Sequence, residues 1–336
     1  ELFLRKRPGD PEAQVQRALL RLQQGDFRRG WRDYEWRWRL EQNPPRPLTR
    51  PLWDGSTLAG RTILLHAEQG LGDTLQFVRY AAVLRAAGAR VILESPPALR
   101  RLLSGCAGID RLVTAGESLP RFDVHAPLLS LPRLLGTTPA GIPARPPYLT
   151  AEALRVERWR RILAAYPEFR VGIVWQGNPA HPDDHQRSVP LSEFEPLARI
   201  PGVRLFSLQQ HHGREQIARR AGRFPLVDLG RTADRSTGPF IDTAAIMKTL
   251  DLVIACDSAV AHLAGALGVP VWLAVSINPD WRWQLRRTDS PWYPSMRIFR
   301  QKAPGDWPDV FRRLAAALVR HTERSPGLRP IPIVVS

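Results

Sequence analysis

Three short stretches of the chain carry residues whose types and spacing could do chemistry. The first is Glu68-Gln69-Gly70-Leu71-Gly72-Asp73. Its two glycines let the backbone come close to a ligand, and Asp73 stands where a helix would open. A carboxylate there is an ordinary N-cap; it is also a general base able to take a proton from an incoming hydroxyl. The second is Asp257-Ser258-Ala259-Val260-Ala261-His262. Asp257 and Ser258 are good caps, but a helix N-terminus is also a phosphate site. His262 lies one turn from Ser258 on the same face, so both could reach one diphosphate. The third is Val174-Trp175-Gln176-Gly177-Asn178-Pro179, leading to Arg187-Ser188. Arg187 offers a planar fork that matches phosphate oxygens. His181, Asp183, Asp184 and His185 gather on the loop between, but their spacing fits no standard site, so no metal is expected.

Other segments are less sharply marked. Ser207-Leu208-Gln209 ends a strand, where Gln209 could touch a ligand, while Asp242-Thr243 reads as a helix cap. Trp281-Arg282-Trp283 and Ser290-Pro291-Trp292-Tyr293-Pro294 either stack on a base or sugar or form a packed loop. Gly70-Leu71-Gly72 followed by Glu94 reads as an incomplete dinucleotide fingerprint. Leu75 stands where its third glycine belongs, and Asp73 would repel a pyrophosphate, which weighs against a dehydrogenase. The chain carries no nucleophile elbow, Walker loop or zinc-protease helix.

These residues need elements to hold them. Residues 11–41 read as two helices: Ala13, Val15, Ala18, Leu19 and Leu22 recur at helical spacing, and Phe27, Gly30, Trp31, Tyr34 and Trp38 form a second stripe after Gly25-Asp26. The pair reads as the last unit of a tetratricopeptide-like array, or as an ordinary hairpin docked on the next domain. Residues 43–51 are proline-rich and read as a linker or strap. Strands are expected at 62–66, 91–93, 112–113 and 124–126, with one helix over 75–87 and a short one over 98–103. A linker at 136–147 and a helix at 151–165 precede strands at 171–175, 205–208, 226–228, 252–256 and 271–274. Further helices are expected at 193–200, 214–220, 243–249, 259–267 and 310–321. Apolar strands alternating with amphipathic helices imply two Rossmann-like blocks, each a parallel sheet covered on both faces. Ligands of such sheets bind at the carboxyl ends of the strands.

Composition narrows the function classes. At 336 residues the chain can bury two full cores, and its two cysteines, Cys106 and Cys256, exclude a disulfide framework or a cysteine-rich zinc module. No apolar run approaches the roughly 20 residues that span a bilayer. The N-terminus does not read as a signal peptide, so the cytoplasm is expected, and the missing initiator Met suggests a piece of a longer chain. The net charge of +16 would suit nucleic acid or an anionic surface. However, lysine occurs only at 6, 248 and 302, and arginine is spread along the whole chain. That pattern looks like a coding bias rather than a local stripe, so nucleic acid is not an expected partner.

The loop Gly70-Leu71-Gly72-Asp73 and the stretch 257–264 resemble the two hallmark segments of the ADP-heptose:lipopolysaccharide heptosyltransferase family. The whole chain is similar to bacterial proteins in which tetratricopeptide repeats precede such a glycosyltransferase domain. The resemblance runs through 31–38, 53–55, 68–73, 175–179, 187–188, 242–245, 257–270 and 281–301. It implies an α/β GT-B fold: two Rossmann-like, doubly wound parallel-sheet domains facing a cleft, preceded by the short helical hairpin. Residues 1–42 would be that hairpin, 43–150 the acceptor-side domain, 151–322 the nucleotide-sugar-binding domain and 323–336 a tail. It implies inverting, metal-independent sugar transfer with Asp73 as catalytic base. Gly70, Gly72, Asn178, Arg187, Gln209, Asp257, Ser258 and His262 would bind the donor, and Glu68, Gln69, Trp175, Trp281 and Arg282 would make further substrate contacts. The nucleotide sugar would be a substrate, and no cofactor is implied. Tetratricopeptide arrays bind proteins, so a protein acceptor is expected, with flagellin the named example from relatives of this architecture. A lipopolysaccharide-core acceptor is the alternative within the enzyme class. A non-catalytic scaffold is the alternative outside it, and the presence of both Asp73 and His262 weighs against decay.

Overall fold

The computed structural model describes residues 2–143, 146–219 and 222–323; the expected tail, from residue 324 onward, lies outside them. Two parallel sheets organise the chain. The first holds β1 (Thr62–His66), β2 (Arg90–Ser95), β3 (Arg111–Thr114) and β4 (Val124–Pro127) in the order β3-β2-β1-β4. The second holds β5 (Phe169–Val174), β6 (Val203–Ser207), β7 (Leu226–Asp228), β8 (Leu252–Cys256), β9 (Val271–Val275) and β10 (Met296–Arg300) in the order β10-β9-β8-β5-β6-β7. Every strand pair is parallel. The central strands are apolar on both faces, as sheets covered by helices require: all five residues of β8 and of β9 are buried.

Two compact units divide the chain, one of Glu1–Tyr148 with Pro279–Trp292 and the other of Leu149–Asn278 with Tyr293–Ser336. Residues 279–292 thus belong with the first sheet and not, as their position in the chain suggests, with the second. Aromatic packing is the reason. Within the first unit Trp31 meets Trp281 edge-on at 5.0 Å and Phe77 at 6.0 Å, and Phe27 stacks on Trp292 at 5.8 Å. Each such ring pair contributes about 0.5–1.5 kcal/mol beyond the apolar area it buries. The hairpin sits in the same unit as helices Pro11–Gln23 and Phe27–Tyr34, capped by the carboxylates of Asp10 and Asp26. Gly30 lets the two helices touch, since a Cβ there would lie 2.7 Å from Leu22. The second stripe was expected to stay α-helical to Trp38; it tightens instead into a 3-10 turn over Glu35–Arg39.

The helix expected over 75–87 begins earlier and is broken, into Leu71–Phe77 and Tyr80–Ala86. Arg79 sits at the break. It is 2% exposed, and its guanidinium donates to the Gln76 and Trp292 carbonyls at 2.8 and 2.9 Å and to the Tyr148 hydroxyl at 2.9 Å. In the second unit the cap of helix Ile241–Met247 comes from Asp234 rather than from Asp242-Thr243. Asp234 accepts the Asp242 and Thr243 N–H groups at 2.6 and 3.1 Å. Asp242 lies in the first turn and holds the Trp159 indole at 2.9 Å.

His66 and His125 meet inside the first unit, with Nε2 and Nδ1 at 3.2 Å. One ring must donate and the other accept, so the pair does not tolerate two added protons. Burial first, then Arg46 and His125, hold His66 down to about 3 from its ordinary 6.5. The unfolded chain therefore takes up this proton before the folded one does. The stability linked to it is whole above about pH 6.5 and declines by up to about 1.4 kcal/mol for each pH unit below that, toward about pH 3. Urea midpoints measured at pH 7 and pH 5 should fall in the wild type and fall less in His66→Gln.

Candidate functional site

In the first unit the chain leaves β1 at His66, turns through Glu68–Gly70 and enters helix Leu71–Phe77. Gly70 is the N-cap, with extended backbone at φ −88° and ψ 171°. Asp73 is therefore inside the first turn rather than being the cap itself. Its Oδ2 reaches back to accept the Gly70 N–H at 2.8 Å, and its Oδ1 accepts from Arg282 Nη2. A Cβ at position 70 would stand 3.1 Å from that Oδ2, so a side chain there would crowd the carboxylate. Arg282 is itself fixed on every arm. Its Nε donates to Gln76 Oε1 at 2.6 Å, its Nη1 to Asp280 at 2.9 and 3.0 Å, and its guanidinium lies 4.2 Å from the Trp281 ring.

Burial pushes the Asp73 carboxyl above its ordinary value; Arg282 and the Gly70 N–H pull it back only in part. A carboxylate raised in this way holds a proton more willingly, which is what a general base needs. Its side chain keeps 16% of its surface exposed, enough to be reached from solvent.

The turn before Asp73 is held by residues that the motif did not reveal. Arg37 donates to both oxygens of Glu68, at 3.0 and 2.9 Å, and Glu68 also accepts the Leu129 N–H at 3.1 Å. The Gln69 amide donates to the Tyr34 hydroxyl at 2.8 Å. Burial pushes the Tyr34 phenol up to about 12, so it stays neutral. Tyr34 was read only as a member of the second apolar stripe, and the sequence signal for Arg37 was an arginine set among those aromatics. Glu68 and Gln69, expected at the substrate, are thus engaged by the hairpin. Trp281 is 4% exposed within the aromatic cluster, as a packed loop over 281–283 requires.

In the second unit the candidate residues collect at the carboxyl ends of β5 and β8. Ser258 caps helix Ala259–Ala266 in extended conformation, but its hydroxyl makes no cap bond and donates instead to the Cys256 carbonyl at 3.3 Å. Ser258 therefore does not supply the side-chain cap expected of it at this helix start. His262 is 5% exposed, and its Nδ1 meets the Tyr293 hydroxyl at 2.8 Å. Gly265 makes room for that tyrosine, since a Cβ would lie 2.5 Å from its ring. Gly265→Ala should lower stability despite a gain of about 1 kcal/mol in helix propensity, because overpacking a filled core costs about 1–3 kcal/mol. Thermal melting reads this directly.

At the end of β5, Arg187 donates to Asp184 at 3.2 Å and lies against Gly177, where a Cβ would be 2.7 Å from its Nη2. Asn178 turns its side chain back to accept the Ala180 N–H at 3.1 Å. Two side chains expected at the substrate are engaged within the protein here. Trp175 is fully buried and bonds the Gly213 carbonyl at 3.1 Å, so it is core. The Gln209 amide is spent on the loops, accepting the Trp175 and Gln176 N–H groups at 3.0 and 3.1 Å and donating to the Gln176 carbonyl at 2.9 Å. An open cleft of about 480 Å³ lies at this strand end, lined by Gln176, His181, Asp184, His185, Ser188 and Gln216 among others. His181 Nδ1 accepts the Asp183 N–H at 3.2 Å. Among the described residues no group of three or more His, Cys, Asp and Glu side chains is placed to hold a metal ion. Among them, too, no helix is long and apolar enough to cross a membrane.

No family model matches the chain. It is 28% identical over 341 residues to protein FlbA of Caulobacter vibrioides, a match that covers 93% of this chain and 56% of that protein. The chain thus spans little more than half the length of this curated relative. Among solved structures it resembles a glycosyl transferase of family 9 from Veillonella parvula, with TM-score 0.55, 10% identity, and 81% of this chain and 92% of that one covered. It also resembles ADP-heptose lipopolysaccharide heptosyltransferase II of E. coli, with TM-score 0.53, 14% identity, and 78% and 99% covered. The E. coli heptosyltransferase WaaC, solved with ADP, aligns with TM-score 0.50 at 14% identity over 78% and 99%. The chain therefore has the two-sheet fold of these glycosyltransferases.

Proposed function

We propose that the protein is an inverting glycosyltransferase that moves a sugar from a nucleotide-sugar donor to an acceptor hydroxyl without a metal. The observation that carries this reading is the largely buried Asp73 carboxylate, raised by burial and oriented by the Gly70 N–H and Arg282. In the proposed reaction Asp73 takes the proton of the acceptor hydroxyl. That oxygen then attacks the anomeric carbon from the face opposite the nucleotide. The bond from that carbon to the diphosphate breaks, and the nucleoside diphosphate leaves with the bonding pair. Its developing charge needs fixed donors, and the first N–H groups of helix Ala259–Ala266 with Arg187 and His262 are suited to supply them. Asp257 and Ser258 would orient the donor beside them. The acceptor is read as a protein, with flagellin the example to which the sequence resemblance points.

A thermal-shift screen against ADP, UDP, GDP and CDP and their sugars, with and without magnesium, tests the donor side. A nucleotide at 100 times its Kd stabilises by about 2.7 kcal/mol. An adenosine nucleotide should raise the melting temperature equally with and without magnesium, and Arg187→Ala or His262→Ala should lose the rise. No rise with any nucleotide would sink the reading. The likeness to a lipopolysaccharide heptosyltransferase favours a second acceptor class, so turnover is measured on lipopolysaccharide core beside flagellin.

A further inference from the structure

One face of the hairpin is committed to the turn before Asp73. Gln69 has φ 60°, a left-handed conformation that a residue with a side chain keeps only when its surroundings hold it. The Tyr34 hydroxyl is what holds it, at 2.8 Å from the Gln69 amide nitrogen and 3.3 Å from its oxygen. Glu68 beside it is a largely buried carboxylate, which requires an oriented partner. Arg37 provides one with a two-pronged grip, and the same guanidinium bonds Glu35 and Ser130, each at 2.8 Å. Arg37 is 1% exposed and lies 4.9 Å from the Tyr34 ring and 4.4 Å from the Trp38 ring, so it has one available pose. Gln69 is followed in the chain by Gly70, whose N–H orients Asp73. One turn earlier on the hairpin, Trp31 packs on Phe77 of the Asp73 helix and on Trp281 next to Arg282. The hairpin therefore grips the Asp73 neighbourhood from both sides.

We propose that Tyr34 and Arg37 are positioning residues for Asp73, and that the hairpin is part of the reaction centre rather than a module attached to it. The proposal rests on the reading of Asp73 as the base. It differs from a purely stabilising role in what it predicts for the turn and for turnover.

The test uses the full chain and the variants Tyr34→Phe, which removes one hydroxyl, and Arg37→Lys, which keeps the charge and loses the fork. Arg17→Ala is the control, because Arg17 pairs with Asp33 within the hairpin and touches neither the turn nor Asp73. Hydrogen exchange across 66–77 should show the Gly70 amide opening at least tenfold faster in both variants and unchanged in Arg17→Ala. With the donor found in the nucleotide screen, kcat should fall at least tenfold while the donor KM moves less than twofold, and Arg17→Ala should keep its kcat. Unchanged Gly70 exchange in the folded variants would overturn the proposal. A kcat loss no larger than an equal fall in melting temperature brings about in Arg17→Ala would overturn it too. If the wild type turns over no donor, the proposed activity fails, and exchange at Gly70 still decides whether the hairpin holds the turn.

Discussion

If Asp73 is the proposed base, Asp73→Asn should lower turnover by about 100- to 10,000-fold, the range a positioned general base supplies, and should leave nucleotide affinity within about twofold. The substitution keeps the shape and one acceptor oxygen, so the Gly70 N–H can still be satisfied. What disappears is the ability to take a proton and the charge that Arg282 answers. Steady-state kinetics on the identified donor and acceptor reads the loss as a fall in kcat with donor KM nearly unchanged. If turnover survived within threefold of the wild type, Asp73 would not be the base.

Arg282→Leu acts on stability and on pH dependence together. It leaves Asp73 and Asp280 without their shared cation, and removing one partner of a buried pair costs about 3–5 kcal/mol. Asp73 and Asp280 retain 16% and 34% side-chain exposure, so water recovers part of that and the lower end, about 3 kcal/mol, is expected. For a unit of this size the melting temperature should drop by about 6–12 °C. Arg282 is also what pulls the raised Asp73 carboxyl partly down. Without it the carboxyl holds its proton to higher pH, so the acidic limb of the pH–rate profile moves upward. Arg282→Lys keeps the charge and should show a smaller move. A limb that stays in place in both variants would separate Arg282 from the proton transfer.

The parts legible in the sequence were those written in contiguous residues. β1, β5, β8 and β9 are short apolar runs, and the sheets they imply are parallel as expected. β10 escaped notice because Arg297 and Arg300 interrupt its apolar pattern; Arg297 is exposed there. The two helices at 71–86 read as one because apolar spacing continues across Arg79, whose burial depends on partners far along the chain. Within the candidate site, Asp73 stood out through its glycine-flanked turn and Arg282 through its aromatic neighbours. Their pairing spans 209 positions, and no local pattern encodes a contact of that reach. The grip of Arg37 on Glu68 spans 31 positions and was hidden for the same reason.

The insertion of Pro279–Trp292 into the first unit sets an order on synthesis. An N-terminal half that emerges from the ribosome has its first sheet and its hairpin, but lacks Trp281, Arg282 and Trp292 until the second sheet is nearly complete. At ordinary rates of translation that wait is on the order of ten seconds. During it Trp31 and Phe77 lack two of their aromatic neighbours and Asp73 lacks its cation. Expression of residues 1–148 alone would therefore yield an unfinished unit with an apolar scar, and a gene cut after Tyr148 separates Asp73 from the residue that balances it.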